Sequence, residues 1–310
     1  MTIHLTDNVH HSDAQPRLSV LIPFLRDDPA DLIQRLDREA GSLGNRVEVV
    51  LLDDGTGDDD LTHRLTAILT AAVLPIRLIT LTANQGRAAG RNLLASHARG
   101  QGLLFLDSDM RPDRPDFLQA WLAFVDAGQT PIAFGGFSLL QAPQDRQLAI
   151  HRQMAARSEC LSAEQRQLQP EKYVFTSNLL IDRNIFQQHA FDASFTGWGW
   201  EDVEWAMRVS RLYPVAHVDN PATHMGLDRV EDLARKYEQS APNFARVLAR
   251  HPDFVTAYPS YRAARLLRHL PGRGLLRAGL RQGFRSAVLP VRLRAFSLRL
   301  YRAALYAEVV

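Results

Sequence analysis

Cysteine is nearly absent from this chain of 310 residues, and long apolar runs are missing altogether. The single cysteine, Cys160, excludes an intrachain disulfide and fits a reducing compartment, although a secreted protein poor in cysteine would look the same. No uninterrupted apolar run approaches the ~20 residues that a membrane-spanning helix needs. The first 17 residues lack the basic and then apolar pattern of a signal peptide. We therefore expect a cytoplasmic protein without a spanning segment.

Acidic residues are missing from one part of the chain. Between Phe254 and Ala307 there is no Asp or Glu, whereas eleven arginines occur there. With Glu308 included, residues 254–310 carry +10, so the other residues must carry −8 to give the total of +2. Two regions of opposite charge therefore share this chain.

Short apolar runs alternate with helical patterns through the first third of the sequence. Continuous apolar strands separated by helices are typical of a parallel sheet covered on both faces. We therefore predict an α/β fold with a mostly parallel sheet, preceded by a flexible N-terminal arm over residues 1–16. The predicted strands are 17–23, 47–52, 76–81 and 102–106, and the predicted helices between them are 28–40, 61–72 and 86–99.

Acidic side chains follow two of these predicted strands. Asp53 and Asp54 come after the second strand, and Asp107 and Asp109 come after the fourth. Ligands of such sheets bind beyond the carboxyl ends of the strands, so we expect these acids to meet in one crevice. Carboxylates there suit Mg²⁺ or Mn²⁺ bridging to a diphosphate. The alternative is that Asp-Asp-Gly is only turn chemistry.

Four segments in order, SVLIPFLRDD, LLDDGTGDD, TANQGRAAGRN and GLLFLDSDM, resemble the nucleotide-sugar half of family 2 glycosyltransferases. The resemblance continues through TSNLLIDRNIF and GWGWEDVEWAMRV. The last segment is similar to the Gly-Trp-Gly-x-Glu-Asp element of chondroitin-polymerase-like and galactosyltransferase-like enzymes. The family has the GT-A fold, a Rossmann-like domain with an Asp-x-Asp metal site. The resemblance implies a catalytic domain over 17–226, divided into a nucleotide-binding half (17–112) and an acceptor half (113–226).

The resemblance also implies a donor site. Pro23 and Phe24 would lie near the nucleobase, and Asp54 would accept a hydrogen bond from it, with uracil favoured. Asp53 would order the loop. An arginine would offer charge-assisted hydrogen bonds to the phosphates, although a solvated helix face is the alternative for both arginines here. The implied donor-binding residues are Pro23, Phe24, Asp54, Asn84, Gly86, Arg87, Arg91, Asp107 and Ser108.

The implied cofactor is Mn²⁺ or Mg²⁺. Asp109 would bind the ion directly, and Asp107 would contact the ribose or a water on the metal. In many relatives a histidine at the position of His224 completes the site, and imidazole is acceptable to Mn²⁺ and less so to Mg²⁺, which leaves both ions open. The alternative is a structural or exposed histidine. His217 is the rival histidine and is expected to belong to a strand.

The predicted catalytic base is Asp202. Direct displacement needs a carboxylate that takes the acceptor's proton opposite the leaving diphosphate. In the related enzymes the Asp of Glu-Asp has this role, and Glu201 would then bind substrate hydroxyls. The alternative is that both are only carboxylates at a helix start, where the macrodipole favours them. Gly199 and the rings of Trp198 and Trp200 would face the acceptor. The alternative is that one of the two tryptophans is only a core residue.

Residues 227–310 are predicted to form a helical, arginine-rich C-terminal extension. Basic amphipathic helices are typical of membrane-surface elements or nucleic-acid patches. Nucleic-acid binding would not explain the acidic charge of the other residues, so we expect an anionic membrane surface as the partner. The protein would then be peripheral on the inner face of the cell membrane. Alternatively, the arginines pair with the acidic domain or with a second subunit.

The resulting hypothesis is a metal-dependent, inverting transfer of sugar from a nucleoside-diphosphate donor, with UDP favoured, to a hydroxyl of a glycan or glycolipid. One alternative is a catalytically silent, membrane-associated carbohydrate-binding or scaffold subunit. Another is a sugar nucleotidyltransferase, which generally has a glycine-rich loop after the first strand. Residues 23–27 contain no glycine.

Overall fold

The computed structural model describes residues 2–310, which form eleven β-strands and fourteen α-helices. The strands are β1 (Ile3–Asp7), β2 (Leu18–Phe24), β3 (Val47–Asp53), β4 (Ile76–Leu81), β5 (Gly102–Leu106), β6 (Met110–Pro112), β7 (Ile132–Phe134), β8 (Phe137–Ser138), β9 (Asn178–Asp182), β10 (Val215–His217) and β11 (Ala222–His224). The helices are α1 (Ala30–Asp37), α2 (Ala40–Leu43), α3 (Asp59–Ala71), α4 (Arg87–His97), α5 (Phe117–Ala127), α6 (Ala149–Ser158), α7 (Ala163–Gln167), α8 (Arg183–Gln188), α9 (Glu201–Val209), α10 (Val230–Arg250), α11 (Pro252–Val255), α12 (Pro259–Arg268), α13 (Arg273–Arg285) and α14 (Val291–Tyr306).

An eight-stranded sheet with the order β1-β4-β3-β2-β5-β9-β7-β10 runs through the molecule. The four strands predicted from the first third of the sequence, β2 to β5, are parallel neighbours at its centre. Every residue of β3 is buried, as expected for a strand covered on both faces. The α/β prediction is confirmed. Strand β9 lies between β5 and β7 and is antiparallel to both.

The N-terminal residues are part of the fold, so the prediction of a flexible arm is wrong for the residues that the structure describes. β1 pairs antiparallel with β4 along its free edge. The buried side-chain amide of Asn8 donates to the carbonyls of Leu69, Ala72 and Leu74. An exposed sheet edge presents unpaired backbone groups, and β1 supplies their partners. Met1 lies outside the described residues.

A second, three-stranded sheet has the order β6-β11-β8. Its first strand closely follows the central sheet, because only residues 107–109 separate the end of β5 from the start of β6. The antiparallel pairing of β6 with β11 sets His224 opposite Met110. This pairing brings His224 next to Asp109, although the two residues are far apart in the sequence.

The C-terminal helices are packed onto the rest of the molecule. α14 lies against α6, α10, α12 and α13, and a third hydrophobic core forms among these helices. The Tyr306 ring stacks on Phe244 of α10 with 4.1 Å between ring centroids. Within residues 2–310, no helix combines the length and the apolar character that crossing a membrane requires.

Candidate active site

The acids that end β3 organise the neighbouring turns. Asp53 Oδ1 accepts the backbone N–H of Thr56 at 2.8 Å. The buried Asp54 carboxylate accepts from Asn84 Nδ2 at 3.0 Å, from the Gln85 N–H at 2.7 Å and from the Gly86 N–H at 3.1 Å. Burial raises the pKa of Asp54, and the two backbone N–H groups oppose that shift. Asp54 therefore holds the turn that starts α4.

Two arginines of α4 join the end of β5 to the start of α9. Arg91 is buried and donates to Asp107 Oδ1 at 2.7 Å. Arg87 Nε donates to Glu201 Oε1 at 2.6 Å, and Ser177 Oγ donates to Asp107 Oδ2 at 2.9 Å. The alternative of a solvated helix face is wrong for Arg91, which lies in the interior. These ion pairs hold Asp107 and Glu201 in fixed positions.

The adjacent carboxylates Glu201 and Asp202 have opposite electrostatic surroundings. Desolvation raises the pKa of both, but for Glu201 the charges of Arg87 and Arg91 outweigh it and lower the pKa. For Asp202, burial and the charge of Glu201 dominate and raise the pKa to about 7. Within residues 2–310, its carboxylate accepts a hydrogen bond only from the N–H of Val203, at 2.8 Å. A carboxylate with a pKa near neutrality is suited to proton transfer, whereas Glu201 is engaged in ion pairing.

Asp109 and His224 form a pair of ligands suited to a divalent ion. His224 Nε2 lies 3.3 Å from Asp109 Oδ2. Two cis ligands bound to one ion at about 2.1 Å lie roughly 3 Å apart, so this spacing fits Mn²⁺ or Mg²⁺. Asp107 fits a direct ligand less well, because Arg91 and Ser177 already bind its two oxygens. Desolvation lowers the pKa of His224, but the hydrogen bond to Asp109 and the negative charges of Asp109, Glu159 and Asp107 together outweigh it, so the pKa is raised.

Gly226 leaves the space that Asp109 occupies. A Cβ atom at Gly226 would lie 1.9 Å from Asp109 Oδ2, so no larger residue fits without moving this carboxylate. The backbone N–H of Met225 also donates to the carbonyl of Asp109 at 2.9 Å. Sequence reasoning did not single out Gly226, because its role depends on the pairing of β6 with β11.

Two cavities meet at this cluster. The sheet-edge cavity has a volume of about 420 Å³ and lies beyond the strand ends, and the helical cavity, of about 310 Å³, lies among α6, α9, α10 and α14. Arg87, Asp107, Asp109 and Trp198 line both. The sheet-edge cavity is further lined by Pro23, Phe24, Asp54, Asn84, Gly86, Arg91 and Ser108, and the helical cavity by Gly199, Trp200, Glu201, Asp202 and His224.

The segment before α9 has an unusual backbone. Gly197, Gly199 and Trp200 all have positive φ, with +79° at Trp200. A left-handed conformation strains a tryptophan by about 1–3 kcal/mol, and such strain is commonly found at functional sites. The Trp200 Nε1–H donates to Tyr306 Oη at 3.1 Å, and its ring packs on Phe244. Trp200 is therefore held by the C-terminal helices, whereas Trp198 stands between the cavities. Trp205 and His217 belong to the interior and to β10 respectively.

Several lining residues escaped the sequence analysis. Asp27 and Gln239 reach the sheet-edge cavity, and the helical cavity gains residues mainly from α6, α10 and α14. Asp27 lies in the loop before α1, and the residues on α6, α10 and α14 belong to patterns that resemble ordinary helix faces, so no sequence signal distinguished them. The additional polar and charged residues of the helical cavity include His151, Glu159, Lys236, Tyr237 and Arg302.

His151, Glu159 and His224 place nitrogen and oxygen atoms within 4.8 Å of one another. His151 does not fit a metal ligand in this arrangement. Its Nδ1 accepts the backbone N–H of Asp228 at 2.7 Å, and burial lowers its pKa to about 3. A neutral ring whose Nδ1 accepts carries its proton on Nε2, which is then a donor.

Comparisons with known proteins agree with this architecture. The model of glycosyl transferase family 2 matches residues 19–189. The chain is 27% identical over 143 residues to undecaprenyl-phosphate 4-deoxy-4-formamido-L-arabinose transferase of Klebsiella pneumoniae. That match covers 46% of this chain and 41% of the Klebsiella protein, less than half of either.

Among solved structures, the mannosyltransferase PcManGT of Pyrobaculum calidifontis is similar with a TM-score of 0.58 and 16% identity, covering 95% of this chain and 87% of that one. TarS 1-349 of S. aureus has a TM-score of 0.53 and 15% identity, covering 94% and 90%. These likenesses concern the fold, which is the GT-A fold. Because the family model matches more than half of the sequence, the chain belongs to glycosyl transferase family 2.

Proposed function

We propose that the chain transfers a sugar from a nucleoside-diphosphate donor to an acceptor hydroxyl, in a metal-dependent reaction that inverts the anomeric carbon. The observation that carries the proposal is the meeting of the two cavities. The sheet-edge cavity is suited to a donor, and Asp202 lines only the helical cavity on the other side of their common wall. An in-line displacement needs the leaving group and the base on opposite sides of the reacting carbon.

In this proposal the sheet-edge cavity binds a nucleotide, with UDP favoured. Asp54 Oδ1 accepts one hydrogen bond, from Gln85, so it can accept a second from the N–H of a uracil. Pro23 and Phe24 flank the base, and Arg87 is partly exposed beside the phosphate position. TarS 1-349 has been solved in complex with UDP, and PcManGT in complex with GDP-Man and Mn²⁺. Uridine and guanosine nucleotides therefore both belong among the donors to be tested.

Asp109 and His224 are the proposed ligands of Mn²⁺ or Mg²⁺. When bound there, the ion supplies charge neutralisation for a departing diphosphate. The chain's own contribution is the arginine pair, because Arg87 and Arg91 add positive charge at the wall between the cavities. Gly226 leaves room for the Asp109 carboxylate at this position.

Asp202 is the proposed base. It accepts the proton of the acceptor hydroxyl at its carboxylate, while Glu201 keeps Arg87 oriented through the 2.6 Å ion pair. The likeness of Gly-Trp-Gly-Trp-Glu-Asp to the element of chondroitin-polymerase-like and galactosyltransferase-like enzymes supports this assignment. Trp198 lies at the junction and offers its ring to a sugar.

A glycan or a lipid-linked molecule is the proposed acceptor class. The Klebsiella relative is named for undecaprenyl phosphate, a lipid phosphate. The helical cavity opens among the C-terminal helices, which also carry the exposed apolar residues of the basic segment.

We further propose that these helices attach the protein to an anionic membrane surface on its cytoplasmic side. Val288, Leu289, Leu293 and Phe296, which we call the α14 patch, are exposed, with Val288 at 93%. Of the eleven arginines, Arg277, Arg281 and Arg285 pair with acids. The acids of these three pairs all belong to residues 227–310 and not to the acidic domain. Apart from Arg302, which lines the helical cavity, the other arginines remain available to anionic headgroups.

A donor panel tests the proposed function. UDP-, GDP- and TDP-sugars are each added with Mn²⁺ or with EDTA, and thermal stabilisation and release of nucleoside diphosphate are measured. We expect one nucleotide class to stabilise the protein only with the ion, with slow hydrolysis in the absence of an acceptor. Asp109→Asn is the matched variant and should lose the dependence on Mn²⁺. If no nucleotide sugar stabilises the native protein, the donor assignment is wrong.

A further inference from the structure

Arg302 brings the basic C-terminal segment into the helical cavity. It lies on α14, whose packing on α10 includes the stack of Tyr306 on Phe244. The guanidinium carbon is 5.1 Å from the centroid of the Tyr237 ring, and Arg302 lines the cavity together with Asp202. An arginine from the end of the chain thus lies in the same cavity as the proposed base.

Arg302 forms no ion pair among residues 2–310, although its guanidinium contacts the Tyr237 side chain and is attracted by the charge of Glu159. The α13 arginines Arg277 and Arg281 reach carboxylates at 2.7 Å and 2.6 Å. No carboxylate lies within 4.0 Å of Arg302, although Glu159 lines the same cavity. Removing a cation from water without a counter-ion is unfavourable, so a partly buried, unpaired guanidinium in a cavity points to an anionic ligand.

A second donor faces this cavity. Because His151 Nδ1 accepts the N–H of Asp228, the neutral ring carries its proton on Nε2. This Nε2–H has no acceptor in the described part of the chain, and the ring lines the helical cavity. Lys236 lies there too, but its Nζ is bound to Asp228 at 2.6 Å. Arg302 and His151 are therefore two donors of this cavity that are available to an anionic ligand.

On the basis of the function proposed above, we propose that the acceptor carries an anionic group, a phosphate or a carboxylate, close to its reacting hydroxyl. Arg302 binds this group, and the Nε2–H of His151 adds a hydrogen bond. The planar guanidinium suits both anions because it can bind two oxygens at once. The C-terminal segment then has a role in substrate choice in addition to any role at a membrane.

Three small probes that share a three-carbon skeleton test this inference. Glycerol 1-phosphate, glycerate and glycerol are titrated into the full-length protein saturated with UDP and Mn²⁺, so that the nucleotide site is already filled. The readout is tryptophan fluorescence, since Trp198 and Trp200 line the cavity. We expect saturable binding of one or both anions at millimolar concentrations and none of glycerol. The two anion titrations distinguish a phosphate from a carboxylate.

Variants of α14 connect the binding to Arg302. Arg302→Gln should weaken anion binding about tenfold or more, because a charge-assisted hydrogen bond is lost. Arg302→Lys should recover part of the affinity. Arg292→Gln removes an exposed arginine of the same helix, outside the cavity, and should leave the binding of these small anions unchanged. His151→Gln should weaken binding by a smaller factor.

Three results would overturn the inference. They are equal responses to glycerol and to both anions, anion binding that Arg302→Gln leaves unchanged, and absence of any saturable binding. Failure of the proposed function gives a different pattern, because UDP and Mn²⁺ would then not stabilise the protein. In that case the titrations are made without nucleotide, and anion binding that depends on Arg302 would still establish the anion site.

Discussion

The sheet-edge cavity and the helical cavity share a wall but differ in how their residues are held. In the first, Asp54 is fixed by hydrogen bonds to the turn 84–86, directly beyond the ends of parallel strands. In the second, Trp200 is fixed by Tyr306, more than a hundred residues further along the chain. The first cavity depends on local backbone geometry, and the second depends on the docking of the C-terminal helices. Mutations on the two sides should therefore have different consequences.

The largest effect is expected on the helical side of the wall. Asp202→Asn should lower kcat by about 10²–10⁴-fold, because the proposed base is lost, while donor affinity changes little. Diphosphate release and calorimetric titration with the donor measure the two quantities. Asp228→Asn, which changes another acid of the same cavity, serves as a comparison and should retain most of the turnover. Turnover within a few-fold of the native value in Asp202→Asn would remove this residue as the base.

Gly226→Ala tests whether Asp109 must occupy its observed position. A new Cβ would overlap Asp109 Oδ2, so we expect the affinity for Mn²⁺ to fall by about 10–100-fold, as happens when the support of a metal ligand is lost. Electron paramagnetic resonance of Mn²⁺ measures this affinity without any activity assay. Gly279→Ala is the control, since nothing lies within 4 Å of a Cβ there. Equal affinities in the two variants would contradict the assignment of Asp109.

The α14 patch gives a test at the far side of the C-terminal helices. Leu293→Gln combined with Phe296→Gln should weaken binding to vesicles containing phosphatidylserine by about tenfold or more, since two apolar side chains no longer enter the lipid. Co-sedimentation measures the bound fraction. Leu168→Gln, at another exposed apolar residue, should have no effect. Binding that survives the double substitution would exclude the patch as the anchor. A truncation after Tyr258 cannot replace the double substitution as a test, because it would also remove the α14 residues that belong to a hydrophobic core.

The pH dependence of turnover should follow the proton on Asp202. Burial raises its pKa to about 7, so the reactive carboxylate form is present above that pH and is lost as the pH falls. We expect kcat/KM to be about tenfold lower at pH 6 than at its plateau, as one pKa unit implies. Steady-state rates between pH 5.5 and 8.5 check this. The residual activity of Asp202→Asn should not show the same transition.

The smallest effect is expected for the link between the cavity and α14. Tyr306→Phe removes an oxygen that lies 3.1 Å from Trp200 Nε1 and 3.0 Å from Ser240 Oγ. We expect the free energy of unfolding to fall by about 1–2 kcal/mol, and chemical denaturation measures it. Tyr261→Phe, a tyrosine with no side-chain hydrogen bond among residues 2–310, should be nearly neutral. A neutral Tyr306→Phe would mean that Trp200 does not depend on α14.

Amino-acid sequence alone determined the central sheet and the order of its acids. Buried strands such as β3 and β5 are continuous apolar runs, and acids at strand ends in a parallel sheet must share one edge, so Asp54, Asp107 and Asp109 could be placed together. The family resemblance added Asp202 and His224. Only the tertiary structure brought His224 to 3.3 Å from Asp109, paired Glu201 with Arg87, and placed Arg302 beside Tyr237. These contacts join segments that are far apart in the sequence. Which face of α14 turns inward is decided by the packing of the helices, and it cannot be read from the charge or the spacing of residues along the chain.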